Sequence, residues 1–214
     1  MPGTVPQPTP IYHITHIDNL PSILADGGLR CCADLRQSAA NYRDIAYQHI
    51  QDRRARISVP CGPRGLLHDY VPFYFGPRSP MLFTISRGNV DSYQGRQYEI
   101  VHLVTQVQTL VARAVPFVFT DGHATMMTSQ FFDELERLDQ IDWPLMTARD
   151  WYVTNQYPDR KQRRQAELLV HRSLGWAHVT EIGVHSLTMR QRVEALLAGQ
   201  ASRPVVSLRR HWYY

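Results

Sequence analysis

The chain has few cysteines and no long apolar run. Its 214 residues contain three cysteines, two of them the adjacent Cys31 and Cys32, so neither a disulfide framework nor a zinc-ligand pattern is indicated. No segment approaches the roughly 20 apolar residues of a membrane-spanning helix. The opening MPGTVPQPTP lacks the basic and apolar regions of a secretory signal. These absences predict a cytoplasmic protein with no membrane partner and no metal.

Lysine is almost missing as well. All of the 23 basic residues except Lys161 are arginine, and the net charge is +4. The planar guanidinium binds phosphates and bases in a bidentate way and also stacks on rings, which suits nucleic acid. A GC-rich genome would give the same bias, so the composition permits a nucleic-acid partner without requiring one.

Three common nucleotide and hydrolase motifs are absent too. The sequence has no G-x-G-x-x-G after a strand, no G-x-x-x-x-G-K-[ST] and no G-x-S-x-G. The sequence therefore does not favour a Rossmann site or a P-loop, and it offers no nucleophile elbow. Any nucleotide must be bound on another scaffold.

The hydrophobic pattern predicts one α+β domain over residues 1–214. The hydrophobic content of 43% and charged content of 20% are those of a globular protein. Helices and strands alternate without a regular βαβ rhythm. The predicted elements are a strand in IYHITH, a short helix in DNLPSILADGG, a helix in IAYQHIQDRRARI, strands in EIVHLVTQV and VPFVFT, an amphipathic helix in SQFFDELERLDQI, a long loop over 143–165, and C-terminal strands around a helix at 189–197.

The first strand carries two polar side chains on one face. Alternation places His13 and Thr15 together, whereas Ile14 and His16 point to the opposite face. His13 and Thr15 could bond the edge of a small polar ligand, or could simply face water. A metal site is less favoured, because His13 and His16 point in opposite directions.

Several segments taken in order resemble one family over nearly the whole chain. They are IYHITHIDNLPSIL, IAYQHIQDRRARISVP, HDYVPFYFGPRSPML, PFVFTDGHA, RQAELLVH and WYY. Together they resemble the DarT family of bacterial toxin ADP-ribosyltransferases. The resemblance implies the ADP-ribosyltransferase fold, in which two packed antiparallel sheets with peripheral helices form an NAD cleft. It also implies transfer of ADP-ribose from NAD to a base, usually thymine, in single-stranded DNA, and a DarG-like macrodomain antitoxin that removes the mark.

The resemblance also implies which residues bind NAD. His13 and Thr15 would bond the adenosine part, and Asn19, Ser22 and Leu29 would close over the same nucleotide. Helix capping and core packing are the alternative roles of those last three residues. The full predicted set is His13, Ile14, Thr15, Asn19, Ser22, Leu29, Arg54 and His123.

Glu167 is the predicted catalytic carboxylate. It opens the strand AELLV directly after an arginine-rich run. Cleavage of the nicotinamide–ribose bond passes through an oxocarbenium-like state, which a carboxylate near the ribose stabilises. The alternative is a surface salt bridge to Arg163 or Arg164, and the family resemblance favours catalysis.

Arg54 is the predicted second catalytic residue. In a helix it shares a stripe with Tyr47 and Ile50 that faces the interior. Its guanidinium could hold the phosphates or ribose of NAD and polarise the thymine ring nitrogen, although arginine seldom gives up a proton. Arg53 occupies nearly the same arc, so spacing does not separate the two, and the resemblance favours Arg54. A solvated helix face is the alternative.

Two segments are predicted to contact DNA. The turn GPRSPM presents a cation and an exposed Met81, and the loop over 143–165 offers rings and positive charge. Anchoring of the loop on the core is the alternative role of Trp151 and Tyr152. The predicted DNA-binding residues are Arg78, Ser79, Pro80, Met81, Arg149, Trp151, Tyr152 and Arg163, with Trp143 as a further stacking plane.

Other functions remain open at this point. A related enzyme could modify guanine, RNA or protein, and a non-enzymatic module could bind nucleic acid or ADP-ribose on the same scaffold. Residues 31–44, CCADLRQSAANYRD, resemble the family least and adjoin the expected NAD site.

Overall fold

The fold is an α+β arrangement around one large sheet. A computed structural model describes residues 3–90, 93 and 95–214. The strands are β1 (Pro10–His16), β2 (Gly28–Arg30), β3 (Tyr70–Tyr74), β4 (Ile100–Gln106), β5 (Phe117–Thr120), β6 (Phe131–Phe132), β7 (Glu167–His171), β8 (Ser173–Gly175), β9 (Glu181–Val184) and β10 (Val205–Leu208). The helices are α1 (Leu20–Ala25), α2 (Cys32–Gln37), α3 (Gln48–Arg54), α4 (Pro80–Ser86), α5 (Val107–Ala112), α6 (Trp143–Thr147), α7 (Arg160–Arg163) and α8 (Leu187–Leu196). The described helices include none with the length and apolar character needed to span a bilayer.

The strands divide unequally between two sheets. The larger sheet has eight strands in the order β10-β9-β4-β1-β3-β7-β5-β6, and β2 pairs with β8 in a second sheet. The pairings are antiparallel except that of β9 with β10, which is parallel. The predicted α+β class is confirmed, with the second sheet reduced to two short strands.

Apolar side chains cover both faces of the large sheet. β1 pairs with β4 along its whole length, from Pro10 opposite Gln106 to His16 opposite Ile100. Ile11 belongs to one buried cluster, whereas Tyr12 and Ile14 belong to another on the opposite face. β1 is therefore a central strand held by packing on both sides, which gives its polar residues fixed positions.

The centre of the sheet also fixes the predicted carboxylate. β3 pairs with β7 from Tyr70 opposite His171 to Tyr74 opposite Glu167. β5 lies on the other side of β7, with Phe119 opposite Leu168. Glu167 thus begins a strand that is paired on both edges, at the point where the neighbouring strand β3 ends.

Two local predictions are wrong. The amphipathic helix expected in SQFFDELERLDQI does not form, because Phe131 and Phe132 pair with β5 and a 3-10 helix occupies Leu135–Gln140. Pairing with a buried strand overrides the helical spacing. The loop over 143–165 is interrupted by α6 and α7; the Asp142 carboxylate caps α6 by accepting a hydrogen bond from the Leu145 N–H at 3.1 Å.

Candidate active site

A single cavity gathers most of the predicted ligand-binding residues. It has a volume of about 700 Å³ and is bordered by β1, β3, α1, α3 and residues 40–47. Pro80 and Met81, from the turn predicted to bind DNA, also line it. The predicted NAD-binding and catalytic residues that line it are His13, Ile14, Thr15, Asn19, Ser22, Leu29, Arg54, His123 and Glu167.

Glu167 and Arg54 form a buried ion pair in this cavity. Arg54 Nη1 donates to both carboxylate oxygens of Glu167, at 3.1 and 2.9 Å. The Ala124 N–H donates to Glu167 Oε1 at 3.0 Å. Glu167 is 4% exposed and Arg54 is 8% exposed. The carboxylate is therefore held in one orientation by donors from two other parts of the chain.

The surface salt bridge considered as an alternative for Glu167 is not formed. Arg163 instead pairs with Asp142 and Asp159. Arg164 is buried and donates to the carbonyl oxygen of Arg78 from Nη2 at 2.9 Å. Both arginines are engaged elsewhere, and the Glu167 carboxylate instead pairs with Arg54 and lines the cavity.

Arg54 and Arg53 both line the cavity, but they differ in burial and in hydrogen-bond partners. Arg53 is exposed and donates to the Thr125 carbonyl at 2.9 Å. Arg54 is buried, and its Nη2 has no hydrogen-bond partner among the described residues. A buried donor without a partner is rare in native proteins and is expected to meet a ligand or water.

His13 presents its second ring nitrogen without a positive charge. Its Nδ1 lies 2.8 Å from the Pro72 carbonyl oxygen. A carbonyl only accepts, which assigns the hydrogen to Nδ1 and leaves Nε2 as an acceptor. Burial lowers the pKa of His13, opposed by the bond to Pro72. A neutral acceptor at this position suits a ligand amine or hydroxyl.

His123 has the opposite arrangement. Its Nδ1 accepts the Thr125 N–H at 3.1 Å, so the neutral ring carries its hydrogen on Nε2. Burial lowers the pKa of His123; Arg54 and Arg53 lower it further, and Glu167 opposes them. His123 is therefore a neutral donor beside the ion pair.

Asn19 fixes the segment over residues 40–47 that borders the cavity. Its side chain accepts the Arg43 N–H at 2.7 Å and donates to the Arg43 carbonyl at 3.0 Å. The same amide donates to Thr15 Oγ1 at 3.0 Å. Asn19 therefore joins β1 to this segment, a role that sequence reasoning did not foresee.

Ser22 and Leu29 show the structural contacts that were their alternatives. Ser22 Oγ donates to the Asn19 carbonyl at 2.9 Å, at the start of α1. Leu29 is 4% exposed and packs in the larger core cluster. Both residues line the cavity while serving the fold.

Replacing Asn19 with Ala is expected to raise the KM for NAD by up to about thirtyfold, because the two bonds to Arg43 contribute roughly 1 kcal/mol each and one tenfold step costs about 1.4 kcal/mol. The bonds to Arg43 order a cavity wall, so kcat should change less than KM. Steady-state kinetics with NAD varied would measure both constants. An unchanged KM together with a lower Tm would assign Asn19 to folding alone.

Sequence reasoning missed other cavity residues. Tyr74 lies opposite Glu167 in the sheet, and burial raises its pKa. His68 Nε2 lies 3.2 Å from Gln51 Oε1, and burial lowers the pKa of His68. Alternation along VPFYF places Tyr74 on the same face as Pro72, but it does not predict the pairing of Tyr74 with Glu167. His68 follows a glycine-rich turn with no signal of its own.

The turn over residues 76–81 is more buried than expected. Ser79 is buried and caps α4, since its Oγ accepts the Leu82 N–H at 3.1 Å. Met81 is half-buried against the cavity rather than exposed. Arg78 is half-buried with its guanidinium 4.2 Å from the Tyr214 ring centre. Arg78 is thus the member of this turn with a cation at the surface.

The predicted stacking residues divide into buried and exposed ones. Trp143 belongs to the core and donates to the Leu138 carbonyl at 2.9 Å. Trp151 is half-buried and donates from Nε1 to the Tyr214 hydroxyl at 3.0 Å. Tyr152 is 68% exposed, and Arg149 is exposed as well. The anchoring role considered for Trp151 therefore has direct support, whereas Tyr152 and Arg149 face solvent.

Replacing Tyr152 with Ala is expected to weaken single-stranded DNA binding by about 1 to 3 kcal/mol if a base stacks on the ring. Tm should not change, because the side chain is exposed. Trp151→Ala should lower Tm as well as affinity, because its indole anchors the loop. Binding titrations and thermal denaturation of both variants would test this. Normal DNA affinity in Tyr152→Ala would remove Tyr152 from the DNA surface.

The described residues contain no group of three or more His, Cys, Asp or Glu side chains placed to hold a metal ion.

Comparison with known proteins identifies close relatives. A family model described as ssDNA thymidine ADP-ribosyltransferase, DarT, matches residues 12–214. The DNA ADP-ribosyl transferase of Thermus sp. (strain 2.9) is 47% identical over 216 residues, covering 100% of both chains. The solved Thermus sp. 2.9 DarT in complex with ADP-ribosylated ssDNA superposes with a TM-score of 0.93 at 46% identity, over 100% of both chains. The same protein in complex with NAD+ gives 0.89 at 44% identity, over 99% of this chain and 100% of that one.

A more distant relative joins two activities in one chain. It is named a DNA ADP-ribosyl transferase-DNA ADP-ribosyl glycohydrolase fusion protein, from Thermosipho africanus. The two sequences are 25% identical over 177 residues, which is 81% of this chain and 42% of the fusion.

Proposed function

Since this chain belongs to the DarT family of ssDNA thymidine ADP-ribosyltransferases, we propose that its cavity binds NAD and that Glu167 and Arg54 act in transfer to thymine. The chain is an NAD-dependent DNA ADP-ribosyltransferase with the fold of this family. The observation that carries the residue assignment is the buried Glu167–Arg54 pair, with Arg54 Nη2 left unpartnered in the cavity.

The cavity fits a dinucleotide. Its volume of about 700 Å³ lies within the roughly 300 to 1,000 Å³ of small-molecule sites. His13 offers an acceptor, and the unpartnered Arg54 Nη2 offers a charged donor for a phosphate or ribose oxygen. These groups support NAD binding by residues of β1 and α3.

Glu167 acts on the developing positive charge. As the nicotinamide–ribose bond breaks, its carboxylate stabilises the oxocarbenium-like ribose. Arg54 and the Ala124 N–H hold the carboxylate in place before the reaction begins. The fold, and not the bound substrate, therefore sets the orientation of the Glu167 carboxylate.

Arg54 acts on the nucleobase. The new bond joins the ribose carbon to the thymine ring nitrogen, nicotinamide leaves with the electron pair of the broken bond, and the proton of the ring nitrogen passes to the Glu167 carboxylate, which lies in the same cavity beside Arg54. A guanidinium keeps its own protons, so Arg54 stabilises the negative charge that develops on the ring. The burial of Arg54 strengthens this interaction by excluding water.

Single-stranded DNA is the substrate that this chemistry can use. In a duplex, the ring nitrogen of thymine is hydrogen-bonded and stacked, so it must first be exposed. Arg78, Arg149 and Tyr152 supply two cations and one exposed ring on the proposed DNA surface. Pro80 and Met81 then border the path of a base into the cavity.

The direct test is to incubate the protein with labelled NAD and separate pools of single-stranded DNA, duplex DNA, RNA and protein. Label should accumulate in the single-stranded DNA pool with release of nicotinamide. Transfer to RNA or protein at a higher rate would favour those alternative substrates. Binding of DNA without nicotinamide release would favour the non-enzymatic module.

Removing Arg149 is expected to flatten the salt dependence of single-stranded DNA binding. One phosphate contact contributes a log–log slope of about −0.7, so Arg149→Ala should lose that amount. Arg113→Ala is a matched control, because Arg113 is exposed outside the cavity lining. Titrations at several salt concentrations give both slopes, and equal slopes for the two variants would exclude a phosphate contact at Arg149.

A macrodomain antitoxin similar to DarG is the proposed protein partner, and the cytoplasm is the proposed location. The name of the Thermosipho africanus fusion pairs the transferase with a DNA ADP-ribosyl glycohydrolase, which supports a partner that removes the mark. Treating modified DNA with such a macrodomain should restore the unmodified strand. DNA that stays modified would contradict this pairing.

A further inference from the structure

We infer that Tyr214 is a positioning residue for the DNA strand, which holds the turn over 76–79 and the loop over 148–159 together beside the cavity. This inference rests on the proposed function. Tyr214 is not among the cavity-lining residues, so it acts through the segments that it joins.

The Tyr214 hydroxyl lies between the two segments. It donates to the Arg78 carbonyl at 3.0 Å. It also accepts a hydrogen bond from Trp151 Nε1 at 3.0 Å. One hydroxyl thus connects the backbone of the turn to a side chain of the loop.

The Tyr214 ring makes a second set of contacts. The Arg78 guanidinium lies over it, 4.2 Å from the ring centre. Phe83, from α4, meets the ring edge-on at 5.0 Å and meets Trp151 edge-on at 5.5 Å. Arg78 Nε is buried and has no hydrogen-bond partner among the described residues. The Arg78 cation is therefore held in place by stacking on the Tyr214 ring.

Tyr214 is itself fixed to the body of the fold. Its N–H donates to Gln97 Oε1 at 2.9 Å, and Gln97 Nε2 donates to the Tyr214 carbonyl. Gln97 is buried. The ring and hydroxyl consequently occupy their positions before DNA arrives.

Residues in or directly beside the segments that Tyr214 joins line the cavity. Pro80 and Met81 follow the turn directly, and Val153 and Pro158 belong to the loop; all four line the cavity. The NAD-binding residues of β1 and α1 have no contact with Tyr214 among the described hydrogen bonds and ring contacts. Loss of the hydroxyl should therefore affect DNA more than NAD.

Tyr214→Phe tests the inference, because it removes the hydroxyl and keeps the ring. Two hydrogen bonds of about 0.5 to 1.5 kcal/mol each predict a KM for a thymine-containing oligonucleotide that rises about five- to 150-fold. The kcat and the KM for NAD should stay within about twofold, because the ion pair and β1 are untouched. Tyr98→Phe is the control, since Tyr98 is exposed and packs on His185 away from the cavity.

A double-mutant cycle separates positioning from general stability. Trp151→Phe removes the same hydrogen bond by changing its donor. The fold-increase in the KM for DNA of the double variant should therefore be well below the product of the fold-increases of the two single variants. A normal KM for DNA in Tyr214→Phe, or independent effects of the two changes, would overturn the inference. A wild-type protein that modifies no single-stranded DNA would overturn the proposed function itself.

Discussion

Replacing Glu167 with Gln is expected to lower the rate of ADP-ribose transfer by roughly a thousandfold, the loss typical of removing a preorganised electrostatic group. Gln has nearly the same shape and its Oε1 can still accept from Arg54 and the Ala124 N–H. It leaves the buried Arg54 without a charged partner, so some loss of stability is expected and the free energy of unfolding is measured beside transfer. It lacks the charge that stabilises the oxocarbenium-like ribose. The KM for NAD should change by less than about tenfold, because the lost interaction belongs to the transition state.

Single-turnover kinetics and NAD titration would measure these two effects separately. Glu194→Gln is the matched control, because Glu194 is exposed on α8 in an ion pair with Arg190. Transfer by Glu167→Gln within tenfold of the wild-type rate would contradict the catalytic assignment. Loss of NAD binding with the same rate per bound NAD would instead make Glu167 a ligand only.

Arg54→Ala is expected to abolish transfer and to destabilise the fold by about 3 to 5 kcal/mol, since it leaves the buried Glu167 carboxylate without its charged partner. Arg53→Ala removes one bond to a carbonyl from an exposed side chain, so its stability cost should be about 1 kcal/mol or less. The difference in burial between Arg54 and Arg53 is therefore predicted to appear in both the rate of ADP-ribose transfer and the free energy of unfolding.

Arg54→Lys keeps the positive charge opposite Glu167, so it distinguishes a loss of transfer from a loss of folding. It should retain much of the stability while losing most of the transfer, because an ammonium cannot contact Glu167 and a ligand in the planar geometry of guanidinium. Denaturant unfolding and transfer assays on the three variants would decide the matter. A larger loss of transfer in Arg53→Ala than in Arg54→Ala would move the catalytic role by one residue.

The polar face of β1 was predictable because a strand has a period of two. Alternation placed His13 and Thr15 together, and both line the cavity. β4 was predicted as the apolar segment EIVHLVTQV, and its residues are buried along most of its length. A strand packed on both faces has a continuous apolar run rather than alternation, so the two strands were found by different signals.

Long-range pairing was not predictable from local pattern. Arg54 and Glu167 are 113 positions apart, and only the family resemblance named both. Asn19 looked like a helix cap, but its side chain bonds the backbone of Arg43, 24 positions away. Such contacts depend on where the completed fold places each segment, which spacing within one element does not encode.

The failure at SQFFDELERLDQI has a physical reason of the same kind. Phe131, Leu135 and Leu138 have helical spacing, yet β5 offers Phe131 and Phe132 a strand edge to pair with. Leu135 is then left 38% exposed, whereas Leu138 is buried. The gain from extending a buried sheet exceeds the weak local preference for helix.

Transfer of ADP-ribose to thymine in single-stranded DNA by the Glu167–Arg54 site is tested most directly by mass spectrometry of one oligonucleotide containing all four bases, after reaction with NAD and fragmentation. The predicted result is the mass of one ADP-ribosyl group on a thymine base with the wild-type protein, and an unmodified strand with Glu167→Gln. Added mass on guanine, on the sugar–phosphate backbone, or with Glu167→Gln at the wild-type rate would contradict it.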